Sequence, residues 1–300
     1  MQRLTAAAAS VAGLGSTTVR IDALSNHLPP LFAGAAEYYV RYRSEYPAPI
    51  FTELAGRLGL DGRQSALDLG CGPGMATFGL TEHVASVTAV DPDREMLAAG
   101  HALAVEKGVD GIDWREGSSE DLAGLGVGPF DLALMAASFH WMDRPATLAA
   151  LDKLINPGGA VVIITGSMSG LARDTPNRPA WAEAAYTTRE RWAPSRRRWR
   201  GDTSDNQSTY TLQRGENRAV LEASAFASVD SYELHWQRTH TVDELIGLLM
   251  TVPDLTPTAL GDRIDGFRTE LREALLAAQP GEHFVEPIWT QVLIGRRPTD

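Results

Sequence analysis

The residues best placed to do chemistry are Asp68-Leu69-Gly70-Cys71-Gly72-Pro73-Gly74 and, about 20 residues further on, Asp91. Glycine has no Cβ, so a backbone with glycines at alternate positions can turn sharply and lie directly against a ligand. The preceding Ala66-Leu67 and the run Val87-Thr88-Ala89-Val90 are short and apolar, as buried strands are, and each ends in an acid. A carboxylate at the end of the second strand is where α/β nucleotide folds hold ribose hydroxyls. The two strands together describe an adenosine-binding crevice.

The details narrow the ligand. A dinucleotide fingerprint needs a third glycine where this chain has Met75, and a phosphate-binding loop needs a lysine that is absent here. Asp68, in front of the loop, would repel a polyphosphate and attract a ligand bearing an ammonium group. An aminoacyl sulfonium fits both acids.

The run Asp68-Leu69-Gly70-Cys71-Gly72-Pro73-Gly74 followed by Val87-Thr88-Ala89-Val90-Asp91 resembles the S-adenosylmethionine site of class I methyltransferases. The likeness continues through Gly117-Ser118-Ser119-Glu120-Asp121-Leu122, similar to the segment bordering the adenine, and Pro129–Leu134, similar to the fourth strand. Leu154-Ile155-Asn156-Pro157-Gly158-Gly159 resembles the turn before strand five. Upstream, Glu37–Arg43 and Tyr46-Pro47 resemble the N-terminal cover of the small-molecule branch that contains trans-aconitate methyltransferase, as does Phe139-His140-Trp141. The match covers roughly residues 31–165; beyond it the likeness is topological.

That resemblance implies S-adenosyl-L-methionine as cofactor. Gly70, Cys71, Gly72 and Gly74 would approach its methionine portion, Asp68 its ammonium, and Asp91 its ribose hydroxyls, unless Asp91 only caps the next helix. Pro92 and Ala136 would border the ligand. Met96 would either cover the adenine or pack in the core. Many relatives carry an aspartate where this chain has Ser118. Backbone amides at Ser118 and Ser119 would then bind the ring, with Glu120 or Asp121 supplying the carboxylate. Tyr38, Tyr39, Tyr42 and Arg43 would form a lid: aromatic faces attract a sulfonium, and Arg43 could take the cofactor carboxylate. Helical spacing fits core packing of Tyr38 and Tyr42 equally well. Tyr39, Tyr42, Trp141, Trp192 and Arg197 are the candidate acceptor contacts.

His140 follows strand four and is the catalytic candidate, because a neutral imidazole can take a proton from a hydroxyl. The alternative is that Phe139-His140-Trp141 only packs against the methionine arm. Trp192 and Trp199 bracket Arg196-Arg197-Arg198, a basic and aromatic loop in an acidic chain. It would bring an anionic acceptor through paired guanidinium contacts, or it is solvated surface. The other histidines lack ligand spacing, and no metal is expected.

Positioning these residues requires alternating strands and helices. Strands are expected at Ser65–Leu69, Val87–Asp91, Ile112–Arg115, Asp131–Ala136 and Ala160–Thr165, with helices at about 75–84, 93–107 and 145–155. Ser228–Arg238 and Val285–Arg296, the latter interrupted by Pro287, would complete the sheet as an antiparallel pair. The fold class is α/β: a Rossmann-like seven-stranded sheet, mostly parallel with an antiparallel last strand, helices on both faces, and a helical lid and insertion. The segments are a tail at 1–30, a helical cover at 31–60, a cofactor core at 61–166, a helical insertion at 167–225 forming the acceptor pocket, and 226–300. That last segment completes the sheet and carries a second helical insertion at 241–280. Residues 194–208 read as a loop.

Composition sets the outer limits. Three hundred residues with 44% hydrophobic and 22% charged are ordinary for a globular chain, and a net charge of −11 disfavours nonspecific nucleic-acid binding. One cysteine makes no internal disulfide and fits a reducing cytoplasm. The alanine-rich stretch after Arg3 lacks the leucine core of a signal peptide and reads as a disordered or loosely helical tail. No apolar run is long enough for a membrane helix. The reading is a cytoplasmic methyltransferase acting on a small molecule of specialised metabolism, with O-methylation favoured. Its alternatives are a non-methylating cyclase or pericyclase using the bound cofactor, and a cofactor-binding regulatory subunit.

Overall fold

The computed structural model describes residues 32–167, 178–193 and 209–298. The tail at 1–30, the loop at 194–208 and Arg197 and Trp199 within it lie outside the described residues.

Five strands alternate with helices as the apolar runs require. They are β1 (Ser65–Leu69), β2 (Ser86–Asp91), β3 (Ile112–Glu116), β4 (Phe130–Ala136) and β5 (Ile155–Ser167). Two long strands follow, β6 (Ser228–His240) and β7 (Phe284–Arg296). The sheet order is β3-β2-β1-β4-β5-β7-β6, with β1 to β5 mutually parallel and β7 antiparallel to both its neighbours. The last strand is therefore the one that runs against the others. The order reverses between β1 and β4, and ligands in open sheets bind beyond the strand ends at such a point.

Several boundaries differ from the sequence expectation. The helix after the glycine loop is short, α3 (Thr77–Thr81), because the loop itself occupies residues 70–76 before the chain can wind. Strand β5 begins early, at Ile155: Phe130 pairs with Ile155 and Leu132 with Ala160, so residues 156–159 bulge out of the ladder. Pro287 does not interrupt β7. It pairs with Gln237 of β6 and lies beyond the last described pairing to β5, Ser167 with Trp289, where its missing N–H removes no described β5 ladder bond.

Helices cover both faces. On one, Leu148 and Leu151 of α5 (Arg144–Leu151) and Leu221 of α7 (Thr209–Glu222) pack on Val161, Ile163 and Leu293. On the other, Ile50, Phe51 and Leu54 of α2 (Ala48–Leu58) pack on Leu132, Leu134, Val162 and Val292. Two more helices frame the ligand end. Helix α1 (Ala36–Tyr42) belongs to the cover, and α4 (Arg94–Lys107) follows β2. The side chain of Asp93 accepts from the N–H groups of Glu95 and Met96, so α4 starts where an N-cap aspartate stands. The insertions build an apolar cluster of their own. Trp181 of α6 (Ala180–Trp192), Leu245 of α8 (Val242–Leu249) and Phe267 and Leu271 of α10 (Ile264–Ala278) meet Phe284 of β7, and α9 (Pro257–Leu260) contributes Leu260.

Candidate active site

The glycine loop is held open by hydrogen bonds from the strand behind it. Gly70 and Cys71 donate to the Val90 carbonyl at 2.7 and 3.1 Å. Asp91 accepts from the Gly72 N–H at 2.8 Å through one oxygen and from the Asp93 N–H at 2.9 Å through the other. Its carboxylate thus fixes both the loop and the turn into α4, with lone pairs to spare on each oxygen. Burial raises its pKa against these bonds.

Gly70 and Gly72 need glycine for different reasons. Gly70 has φ +71°, and a Cβ there would meet the Ser138 Cβ at 2.5 Å. Gly72 has φ +54°, but a Cβ there would meet nothing within 4 Å. The backbone at Gly72 therefore faces open space, the property of a surface that receives a ligand.

Asp68 lies beneath this loop, 0% exposed. One oxygen accepts from the Thr77 hydroxyl at 2.6 Å, while Oδ1 is buried without a hydrogen-bond partner. Burial, with the nearby charge of Asp91, pushes its pKa up to about 7 against the Thr77 bond. A buried carboxylate lacking one partner is costly and suits a cation-bearing ligand. Cys71 is buried among Ala89, Leu97 and Trp114, and burial raises its thiol well above the usual range, so it serves as packing.

Strand β4 ends in a strained turn. Ala137, just past Ala136, has φ +51°, a left-handed conformation unfavourable for alanine. Ser138 then donates to the Leu69 carbonyl at 2.7 Å, tying this turn to the glycine loop. Phe139, His140 and Trp141 form one 3-10 turn, with Phe139 buried and Trp141 40% exposed. The His140 and Trp141 rings lie 4.5 Å apart. Burial, aided by the charge of Arg144, lowers His140 to about 4, so its imidazole is neutral near pH 7.

The comparisons with known proteins match this arrangement. Residues 67–163 match the family model described as a methyltransferase domain. Two ubiquinone biosynthesis O-methyltransferases are similar over part of the chain. That of Caulobacter vibrioides is 34% identical over 100 residues, covering 33% of this chain and 39% of its own. That of Pseudomonas aeruginosa is 33% identical over 110 residues, 36% and 47%. The matched residues, 67–163, hold the glycine loop, Asp91 and the His140 turn. A methyltransferase structure from Thiobacillus denitrificans, solved with S-adenosyl-L-homocysteine, shares the fold at TM-score 0.50 and 16% identity. That match covers 90% of this chain and 99% of the other. The matched regions span less than half the length of the two curated relatives.

Around these residues the other candidates take varied positions. Met96 is buried with Ala35 and Ala36, packing α4 against the cover. Pro92 is exposed at the end of β2, and Ala136 is half-buried. Both the N–H and the hydroxyl of Ser118 donate to the Asp121 carboxylate, at 2.8 and 2.7 Å, while Ser119 is half-buried and Glu120 exposed. Asp121 is therefore committed to its own turn. Tyr39 stands edge-on to Phe32, which stands edge-on to Trp141, so the cover reaches the His140 turn through three rings. Tyr38 and Tyr42 belong to the insertion cluster, their rings 5.9 Å apart, with Tyr42 against Gly247. Arg43 lies over the Tyr39 ring and donates to Thr251 at 2.8 Å. Trp192 donates to Glu270 at 2.7 Å and packs on Phe267, within the insertion.

Thr77, Trp114 and Ser138 are the positioning residues that sequence reading missed. Trp114 packs beside Gly74 and Gly100. Ser138 alone carried a signal, standing between β4 and the Phe139-His140-Trp141 run. A cavity of about 540 Å³ elsewhere, lined by Arg144, Leu148, Glu216 and Val220, lies between α5 and α7 on the outer face of α5 and shares none of the glycine-loop residues. Among the described residues no helix is long and apolar enough to cross a membrane, and no group of three or more His, Cys, Asp or Glu gathers to hold a metal.

Proposed function

We propose that the chain transfers a methyl group from S-adenosyl-L-methionine to a hydroxyl of a small molecule. The observation that carries the reading is Asp68: buried, holding an unpartnered oxygen, and seated under a glycine loop ordered by Asp91. Asp68 would hold the cofactor ammonium, Asp91 the ribose hydroxyls, and the Gly70–Gly74 backbone the methionine portion. When bound, the sulfonium supplies an electrophilic methyl group. Binding a cation requires Asp68 ionised, and the glycine loop excludes water from it. The named activity of the curated relatives supports O-methylation. The acceptor, which we take to be a molecule of specialised metabolism, is assigned to the segments 167–225 and 241–280, outside residues 67–163.

Calorimetry with S-adenosyl-L-homocysteine on stripped protein tests this. Asp68 is protonated below about pH 7 without ligand, so binding of an ammonium expels that proton. Affinity should rise with pH up to about 7 and level off, with about one proton released near pH 6 and almost none near pH 8.5. Micromolar binding with no proton release would move the ammonium away from Asp68. No binding would end the methyltransferase reading.

His140 is the group we place against the acceptor hydroxyl. Its neutral imidazole would accept the hydroxyl proton while the methyl group passes from sulfur to oxygen and the thioether leaves, and its low pKa keeps it neutral well into acid. His140→Ala should lower turnover about 100-fold while S-adenosyl-L-homocysteine affinity stays within about twofold. Turnover of the wild type should not fall on acidification until about pH 4 on account of this group. A loss confined to cofactor affinity would make the imidazole a packing group.

A further inference from the structure

The C-terminal end of the cover helix rests on a buried polar hub that the reaction above does not use. Arg238 of β6 donates to the Tyr42 carbonyl at 3.2 Å, at the end of α1, and to the Ser44 hydroxyl. Arg43 donates to Thr251, just past α8. Glu286 of β7 stands opposite Arg238 in the ladder, and burial raises its pKa against the His240 contact and the charges of Arg43 and Arg238. Its Oε2 lies 2.7 Å from His240 Nε2. His240 is 1% exposed and Glu286 0%. Glu244 of α8 accepts from the N–H of Thr241, the residue after His240, at 2.8 Å. Glu286 and His240 thus form the buried centre of the cluster, with Arg238 beside Glu286 on the neighbouring strand.

The other end of α1 is tied to the cofactor side. Ala35 and Ala36 pack on Met96, and the Gly34 N–H donates to Glu95 at 3.2 Å. Helix α1 therefore bridges α4, which follows Asp91, and the β6–β7 edge. A guanidinium at a helix C-terminus is favourable, and a half-buried one is held better with a carboxylate beside it. Glu286 supplies it, and His240 fixes Glu286.

We propose that Glu286 and His240 are positioning residues for the cofactor cover: through Arg238 they hold the end of α1 in place. His240 Nδ1 and Glu286 Oε1 have no hydrogen-bond partner. Each residue therefore keeps one buried polar atom unpaired, and the cluster depends on the contacts that remain. The effect on ligand rests on the cofactor reading; the effect on α1 does not.

Hydrogen–deuterium exchange on the full, ligand-free chain separates the two. In Glu286→Gln, amides of residues 36–44 should exchange about tenfold faster, with β1 and β2 unchanged, and S-adenosyl-L-homocysteine should bind about tenfold more weakly. His240→Gln, which keeps an amide near the former Nε2, should stay within about threefold of wild type. Arg238→Lys keeps the charge but loses the forked contact, and should repeat the local acceleration. Unchanged exchange at 36–44 in a folded Glu286→Gln overturns the proposal, as does acceleration spread evenly over the sheet. If wild type fails to bind S-adenosyl-L-homocysteine, the cofactor reading falls, and the exchange data still decide what holds α1.

Discussion

Asp91→Ala lowers affinity for S-adenosyl-L-homocysteine by about 100-fold, with calorimetry as the measurement. The carboxylate accepts from Gly72 and Asp93, and hydrogen bonds to a charged group contribute about 1.5–3 kcal/mol each. Removing it loosens the glycine loop and takes away the acceptor for ribose hydroxyls. About 3 kcal/mol of lost binding corresponds to roughly two decades in Kd. A loss smaller than about fivefold would place the adenosine elsewhere.

Gly70→Ala and Gly72→Ala are expected to fail in opposite ways. At Gly70 an added methyl meets the Ser138 Cβ at 2.5 Å and disturbs the 2.7 Å bond from Ser138 to Leu69. Left-handed alanine costs about 1–2 kcal/mol, and the lost hydrogen bond about 1 more. Thermal unfolding of Gly70→Ala should therefore fall by several degrees. Gly72→Ala meets no protein atom within 4 Å, so stability falls by about 1 kcal/mol from backbone strain alone. Its methyl instead enters the space reserved for ligand, and calorimetry should show binding weakened at least tenfold. Equal loss of stability in both variants would mean that Gly72 faces protein.

The sequence was most legible where one residue type has one physical use. Alternate glycines between two strands ending in acids announced the loop, and the loop, Asp68 and Asp91 lie together. The strands were legible because apolar runs between helices leave few topologies, and all seven were anticipated to within a few residues. Pro287 misled because a proline's tolerance in a strand depends on which side is paired, and that is a property of neighbours far along the chain.

Side-chain destinations were the opaque part. Arg43 pointed on paper to a cofactor carboxylate, yet it bonds Thr251, 208 positions away. Asp121 was one of two candidates for the carboxylate beside the adenine, yet it accepts from Ser118 in its own turn. His240 and Glu286 looked unrelated at 46 positions apart, and only the antiparallel register of β6 and β7 brings them together.

The sequence by itself determined the sheet, the glycine loop and the two acids, because these follow from local backbone freedom, apolar periodicity and charge. Only the tertiary structure decided that Asp68 is buried with an oxygen unpaired, that His140 is held neutral, and that the end of the cover helix meets Arg238 of β6. Burial and pairing are set by which distant segments pack together, and no window of the chain contains that information.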